Sequence, residues 1–179
     1  MTRREAWLTA LVVFIVALVV RAAACTGTVF PRPEDSAYYV GVARNIVEGR
    51  GLVSDAVWSY GMPPLVFPRP AFEVWLPLPS LLAAVPMAFM ANTRPIPLET
   101  ALRAAQVASC LLGALLAVLA WRLAADVAIE RRLPAARART LAIGAGLTTA
   151  VYLPLVLHAA APDSTTLLPH AAAQFGSFV

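Results

Sequence analysis

"RLAADVAIERRLPAARAR", residues 122–139, is the stretch whose side of a membrane decides the fold. It holds Arg122, Arg131, Arg132, Arg137 and Arg139 between two apolar runs. The chain has no lysine, so all 14 of its basic residues are arginine. Cytoplasmic loops of membrane proteins collect basic residues, which places this stretch on the same side as Arg3 and Arg4. The run before it, Ala104–Trp121, reads "AAQVASCLLGALLAVLAW", and the run after it, Thr140–Pro162, reads "TLAIGAGLTTAVYLPLVLHAAAP". Each approaches or exceeds the roughly 20 apolar residues that span a bilayer. So does Trp7–Cys25, "WLTALVVFIVALVVRAAAC".

Composition agrees. The chain is 179 residues long, 60% hydrophobic and 13% charged, with a mean hydropathy of +0.73. Soluble domains carry about 25% charged residues. The net charge of +4 does not indicate nucleic acid, because the arginines flank apolar spans and do not line one soluble face. Cys25 and Cys110 are far apart in sequence and in unlike settings, and their spacing suggests neither a disulfide framework nor a metal site.

A fourth apolar run, Val74–Ala91, contains Pro77, Pro79 and Pro86. Proline inside a helix removes a backbone hydrogen bond and bends it. If the other three runs cross, the arginine-rich stretch joins Arg3 and Arg4 only when this one does not. The reading is therefore an all-α integral membrane protein with about three transmembrane helices. Residues 1–6 are a cytoplasmic N-terminus, 7–25 the first span, 101–122 the second, 123–139 a cytoplasmic loop and 140–161 the third, with 162–179 an external tail. Residues 26–100 form one external loop carrying an amphipathic helix over 36–49 and a horizontal apolar helix over 74–91. Trp7 and Trp121 fall at the inner interface as aromatic anchors. Arg21, close to the end of the first span, is expected to snorkel to the outer interface. Pro154 is expected to bend the third span, and Ala105, Ser109, Gly113 and Ala117 form a ridge of small residues along the second, suited to close helix approach. The competing reading of the N-terminus is a signal peptide cleaved near Cys25, which the position of Arg21 disfavours.

The external loop opens with Glu34 and Asp35. Tyr39, Val42, Ala43, Ile46 and Val47 follow a helical period, Gly49 and Gly51 can end the helix, and Asp35 or Ser36 is a good N-cap. Arg44 falls largely on the opposite side of the wheel. Arg69, Glu73 and Trp75 are polar or amphipathic groups in a proline-rich, apolar neighbourhood.

At these residues the sequence resembles the N-terminal part of the GT-C membrane glycosyltransferases, the group that includes protein O-mannosyltransferases and the transferases that put sugars on lipid A. The resemblance lies in the order of features over residues 1 to about 166: a first membrane helix, the external acid Asp35, Tyr38-Tyr39, Ala43-Arg44, Gly49-Arg50-Gly51, the segment "FPRPAFEVWLPLPSLL", a small-residue helix, an arginine-rich turn and a helix ending near Asp163. No single motif among these is specific. The resemblance implies transfer of a sugar from a polyprenyl-phosphate carrier to an acceptor outside the cytoplasmic membrane. It implies Asp35 as catalytic base, Glu34 as the neighbouring alternative, and Asp163 as a second acid. Arg44 and Arg69 are candidates to hold the departing phosphate, with Tyr39, Glu73 and Trp75 as further substrate-binding candidates. Partners are then membrane lipid and a lipid-linked sugar. No cofactor is expected beyond that donor, and no compact cluster of metal ligands is visible. The family's core has more membrane helices than the three read here, so the chain reads as a truncated member, inactive alone. The alternative is a small non-catalytic membrane protein that scaffolds other helices.

Overall fold

In the computed structural model the described residues are 2–31, 34–57, 66–73 and 75–162. They form six helices and one two-stranded ribbon: α1 (Arg3–Thr26), α2 (Glu34–Val47), β1 (Val53–Ser54), β2 (Arg69–Pro70), α3 (Pro77–Met90), α4 (Leu98–Glu130), α5 (Ala135–Val151) and α6 (Leu153–Ala160). Two helices, α1 and α4, are long and apolar enough to cross a membrane, and the pair α5–α6 becomes a third span if it is counted as one bent element.

The chain divides into two units. One comprises residues 2–26 and 110–160, and the other the described part of 27–109 with 161–162. The first unit is built inside out relative to a soluble protein. The residues of α1 that face inward are Val13, Ala17, Arg21 and Cys25, one every fourth position. Leu8, Leu11, Val12, Ile15 and Val19 face outward. A helix that buries its small and polar side chains and exposes its large aliphatic ones is arranged for lipid, where close packing and interhelical hydrogen bonds drive association. The start of α1 is closed by reciprocal bonds between Thr2 and Glu5, in which the Glu5 amide donates to Thr2 Oγ1 at 3.2 Å and the Thr2 amide donates to Glu5 Oε2 at 2.9 Å. This is a capping box, which satisfies two of the helix's orphan donors.

Arg21 does not snorkel. It is fully buried, and it is the largest side chain so enclosed. Its Nη1 donates to the carbonyls of Ala17 at 3.1 Å and Ala150 at 2.9 Å, and Nη2 donates to Thr149 at 3.4 Å. The reason lies in α5. The carbonyl of Ala150 would bond the amide four residues on, but that residue is Pro154, which has no N–H. Arg21 supplies the missing donor. α5 and α6 meet at Tyr152 with a bend of 44°, so the bend expected from Pro154 is present and is held by a cation from another helix. Room for the guanidinium comes from Gly113, where a Cβ would sit 2.3 Å from Arg21 Nε.

Helix ends also depart from the sequence reading. α4 runs to Glu130, eight residues past the expected end of the second span at 122, and α5 begins at Ala135. The arginine-rich stretch is thus a helical hairpin with a turn at 131–134, not a loop over 123–139. The turn is a Schellman closure. The Arg132 amide bonds Ile129 O and the Leu133 amide bonds Ala128 O, with Arg132 at φ 52° and Pro134 beyond it blocking continuation. Trp121 is 5% exposed and so is not an interfacial anchor. Its Cβ packs where Gly146 comes closest. Glu5, Trp121 and Arg139 line one cavity, so the start of α1 and the α4–α5 hairpin lie at the same end of this unit.

Gly144 and Gly146, two residues apart on α5, make opposite predictions. A Cβ at Gly144 meets nothing within 4 Å, whereas at Gly146 it would lie 2.9 Å from Trp121 Cβ and 3.1 Å from Val13 Cγ1. Gly144→Ala should stabilise by up to about 1 kcal/mol through helix propensity. Gly146→Ala should destabilise by about 1–3 kcal/mol through overpacking. Thermal unfolding of the two variants in one detergent tests the sign difference.

In the second unit α2 packs on α3 and on β1. Its core joins Val40, Ala43, Ala83, Ala84, Met87, Ile96, Ala101, Leu102, Ala104 and Ala105. The small-residue ridge of α4 is buried along its whole length, with Ala105 and Ser109 in this unit and Gly113 and Ala117 in the other. α2 begins two residues before the expected start at 36 and ends at Val47, where Gly49 at φ 79° closes it. Gly49 N bonds Ile46 O, and Arg50 N bonds Asn45 O. The apolar side of α2 is covered by protein, and even Asn45 is 3% exposed. α2 is therefore not a helix resting its apolar face on lipid. α3 spans Pro77–Met90, three residues later than expected at its start, because Pro77 occupies the first helical position, where no amide is needed. Its 14 residues reach about 21 Å at 1.5 Å per residue, short of the roughly 30 Å hydrocarbon layer. It leaves Leu78, Leu81, Val85 and Phe89 exposed in one stripe.

Candidate functional site

The site is built around Asp35. Because α2 starts at Glu34, Asp35 lies in the first helical turn and not at the cap. A carboxylate there is favoured by the helix dipole. Ser36, the other expected cap, is fully buried and its Oγ has no hydrogen-bond partner. Asp35 Oδ1 accepts a 2.6 Å bond from Trp75 Nε1. The Trp75 ring stacks on Tyr38, with centroids 4.4 Å apart and planes at 24°. Tyr38 in turn meets Tyr39 edge-on at 5.7 Å. Tyr38 Oη accepts the Phe72 amide at 2.7 Å, which ties α2 to the turn after β2 at a residue with φ 70°. Burial pushes the Tyr38 phenol above its ordinary range, offset in part by that amide. The result is a carboxylate held in place by an indole, on an aromatic platform that fixes the indole.

The ribbon under this platform pairs Val53 with Pro70 and Ser54 with Arg69, extended by Ala71 N to Leu52 O at 2.8 Å. Its second strand carries Arg69, whose Nε and Nη2 grip Glu73 in a two-pronged pair at 2.9–3.1 Å. Both side chains are about one-third exposed. Glu73 lies in sequence between Phe72, which bonds Tyr38, and Trp75, which bonds Asp35, so Asp35, Tyr38, Tyr39, Arg69, Glu73 and Trp75 belong to one neighbourhood.

Arg44 does not. Nine residues separate it from Asp35, which in an α-helix is half a revolution and about 13–14 Å along the axis. It pairs instead with Glu48 at 3.0 Å. Glu48 Oε1 also accepts the Ile96 amide at 2.7 Å. Burial pushes the Glu48 carboxyl up, but that amide and Arg44 together bring it below its ordinary value. Asn45 bonds Val53 O at 2.9 Å and Asp55 Oδ2 at 3.1 Å. Asp55 is clasped by Arg50 at 2.7 and 2.9 Å, and this holds its carboxyl below the ordinary range. These polar groups anchor the α2 terminus to the ribbon. Asp163, the side chain of Glu34, Trp58 and Tyr60 lie outside what the structure describes.

The sequence singled out Asp35 and Trp75 separately but not their bond, nor Tyr38 as the ring that stacks on Trp75. Among the described residues no group of three His, Cys, Asp or Glu side chains is placed to hold a metal ion. No family model matches the chain, and no curated protein or solved structure is similar to it.

Proposed function

We propose that this chain is a membrane glycosyltransferase of the GT-C type, or the N-terminal portion of one, in the cytoplasmic membrane with its N-terminus inside. It takes a sugar from a polyprenyl-phosphate carrier, and Asp35 is the general base. The observation that carries the reading is the Asp35–Trp75 bond, which leaves Oδ2 of a fixed carboxylate without a bond to the indole, on an aromatic platform. A lipid-linked sugar phosphate already carries a stable anionic leaving group, so it needs no general acid of the glycosidase kind. The acceptor hydroxyl gives its proton to Asp35 as its oxygen attacks the anomeric carbon. The carbon–oxygen bond to phosphate breaks, and the electron pair leaves with the polyprenyl phosphate. Arg69 is the cation suited to that phosphate, exchanging one or both prongs of its pair with Glu73. Arg44 is not, given its position on the far side of α2. The exposed stripe Leu78, Leu81, Val85 and Phe89 supports a helix lying at the membrane face, beside which a polyprenyl chain can approach. Arg3, Arg4 and the arginines of the α4–α5 hairpin support this orientation.

A photoactivatable polyprenyl phosphate, added to the full chain in vesicles, tests the reading. Labelling is expected in residues 69–75 and α3, and it should be suppressed by excess unlabelled carrier. Labelling spread along lipid-facing positions such as Leu8 and Val12, with no competition, would remove the proposal.

A further inference from the structure

Cys25 and Cys110, which their sequence positions set apart, are in contact. Their Sγ atoms are 3.4 Å apart across 85 residues of chain. Both are buried, in a cluster with Ala159 and Ala160. They are the only two cysteines in the sequence, so any intramolecular pairing has one outcome. Their place in the fold gives the contact a purpose. Cys25 is the penultimate residue of α1, and Cys110 is the first residue of the membrane-type unit on the return. Everything from Gly27 to Ser109 lies between them in sequence, and this is the unit that carries Asp35, Arg69 and Trp75.

We infer that Cys25 and Cys110 are a disulfide-forming pair, whose bond ties residues 26–109 into one covalent loop. The sulfurs must close from 3.4 Å to about 2.05 Å. The reaction is thiol–disulfide exchange with a disulfide-bonded oxidant. One thiol loses its proton and attacks the oxidant, releasing one thiol. The second attacks the mixed disulfide and releases the other. The chain loses two hydrogens and two electrons, and the oxidant gains them as two thiols. A link closing a loop of this length restricts the unfolded chain more than a short one does. The inference stands on the sulfur geometry and not on the glycosyltransferase reading, since it needs neither substrate nor turnover.

The test uses the full chain in detergent, equilibrated with oxidised glutathione, acid-trapped, unfolded and alkylated. Both thiols should disappear together. Mass spectrometry should find one peptide pair joined through Cys25 and Cys110, in a species that remains monomeric on a non-reducing gel. Reduction should restore two alkylatable thiols and lower the unfolding midpoint. Cys25→Ser and Cys110→Ser should each abolish the linked pair. The inference is overturned if both thiols of the untouched chain stay alkylatable in the oxidising buffer, if oxidation stops at glutathione adducts on each cysteine, or if the disulfides found join two chains.

Discussion

Arg21→Ala should destabilise the chain by about 3 kcal/mol, and Pro154→Ala in the same molecule should recover part of that loss. Three effects compete. Truncation leaves a cavity beneath the largest fully buried side chain, at a cost of about 2–3 kcal/mol from the volume removed. It also strips the donor from Ala150 O, and an orphaned buried carbonyl costs about 1–3 kcal/mol. Against these, a guanidinium, whose Nε is buried without a hydrogen-bond partner, no longer has to be held away from water. That relief is of the order of 2.5–3.5 kcal/mol at a helix centre by insertion scales. It is smaller here because Arg21 lies near the end of α1, four residues from Cys25. The first two effects therefore win. Pro154→Ala gives position 154 an amide that can bond Ala150 O, so Arg21→Ala should cost about 1–2 kcal/mol less in that background. Unfolding of the four proteins of this cycle gives the coupling. Additive costs would mean that the guanidinium does not stand in for the missing amide.

The same residue shows where sequence reading stops. The apolar runs are legible because a bilayer demands continuous length, and α1, α4 and the α5–α6 pair follow from it. The bend near Pro154 is legible because proline acts locally. The direction of Arg21 is not legible. A cation near the end of a span can snorkel or turn inward, and the choice depends on a carbonyl orphaned 129 residues away and on Gly113 having no side chain. Cys25 and Cys110 were opaque for the same reason. Asp, then Ser, before an apolar period is the usual cap signal, and it offers Asp35 as a cap. Starting α2 at Glu34 puts Asp35 inside the helix, where Trp75 can reach it. The ribbon of two residues per strand is too short to show an alternating pattern. Asn45 lies off the apolar stripe of the wheel, yet it is buried against Val53 O and Asp55, contacts a wheel does not contain.

On the proposed reading, Asp35→Asn in a full-length protein that contains this chain should lower sugar transfer by about 10²–10⁴-fold, the span typical of removing a general base, while leaving the unfolding midpoint nearly unchanged. The reason for the split is the Trp75 bond. An asparagine keeps a carbonyl oxygen where Oδ1 accepts the indole N–H, so the neutral–neutral bond survives and only the capacity to take a proton is lost. Trp75→Phe should do the reverse. It keeps a ring able to stack on Tyr38 but removes the donor, which frees the carboxylate to rotate. The base is retained but less well positioned, so transfer should fall less, by about tenfold, consistent with a positioning effect of about 1.4 kcal/mol. Stability should fall by about 1 kcal/mol, the usual worth of one such bond. The assay is single-turnover transfer from a polyprenyl-phosphate sugar, with thermal unfolding of the same preparations. If Asp35→Asn lowers stability as much as Trp75→Phe and leaves transfer intact, the carboxylate is an anchor for the Trp75 indole, and the base must be sought elsewhere.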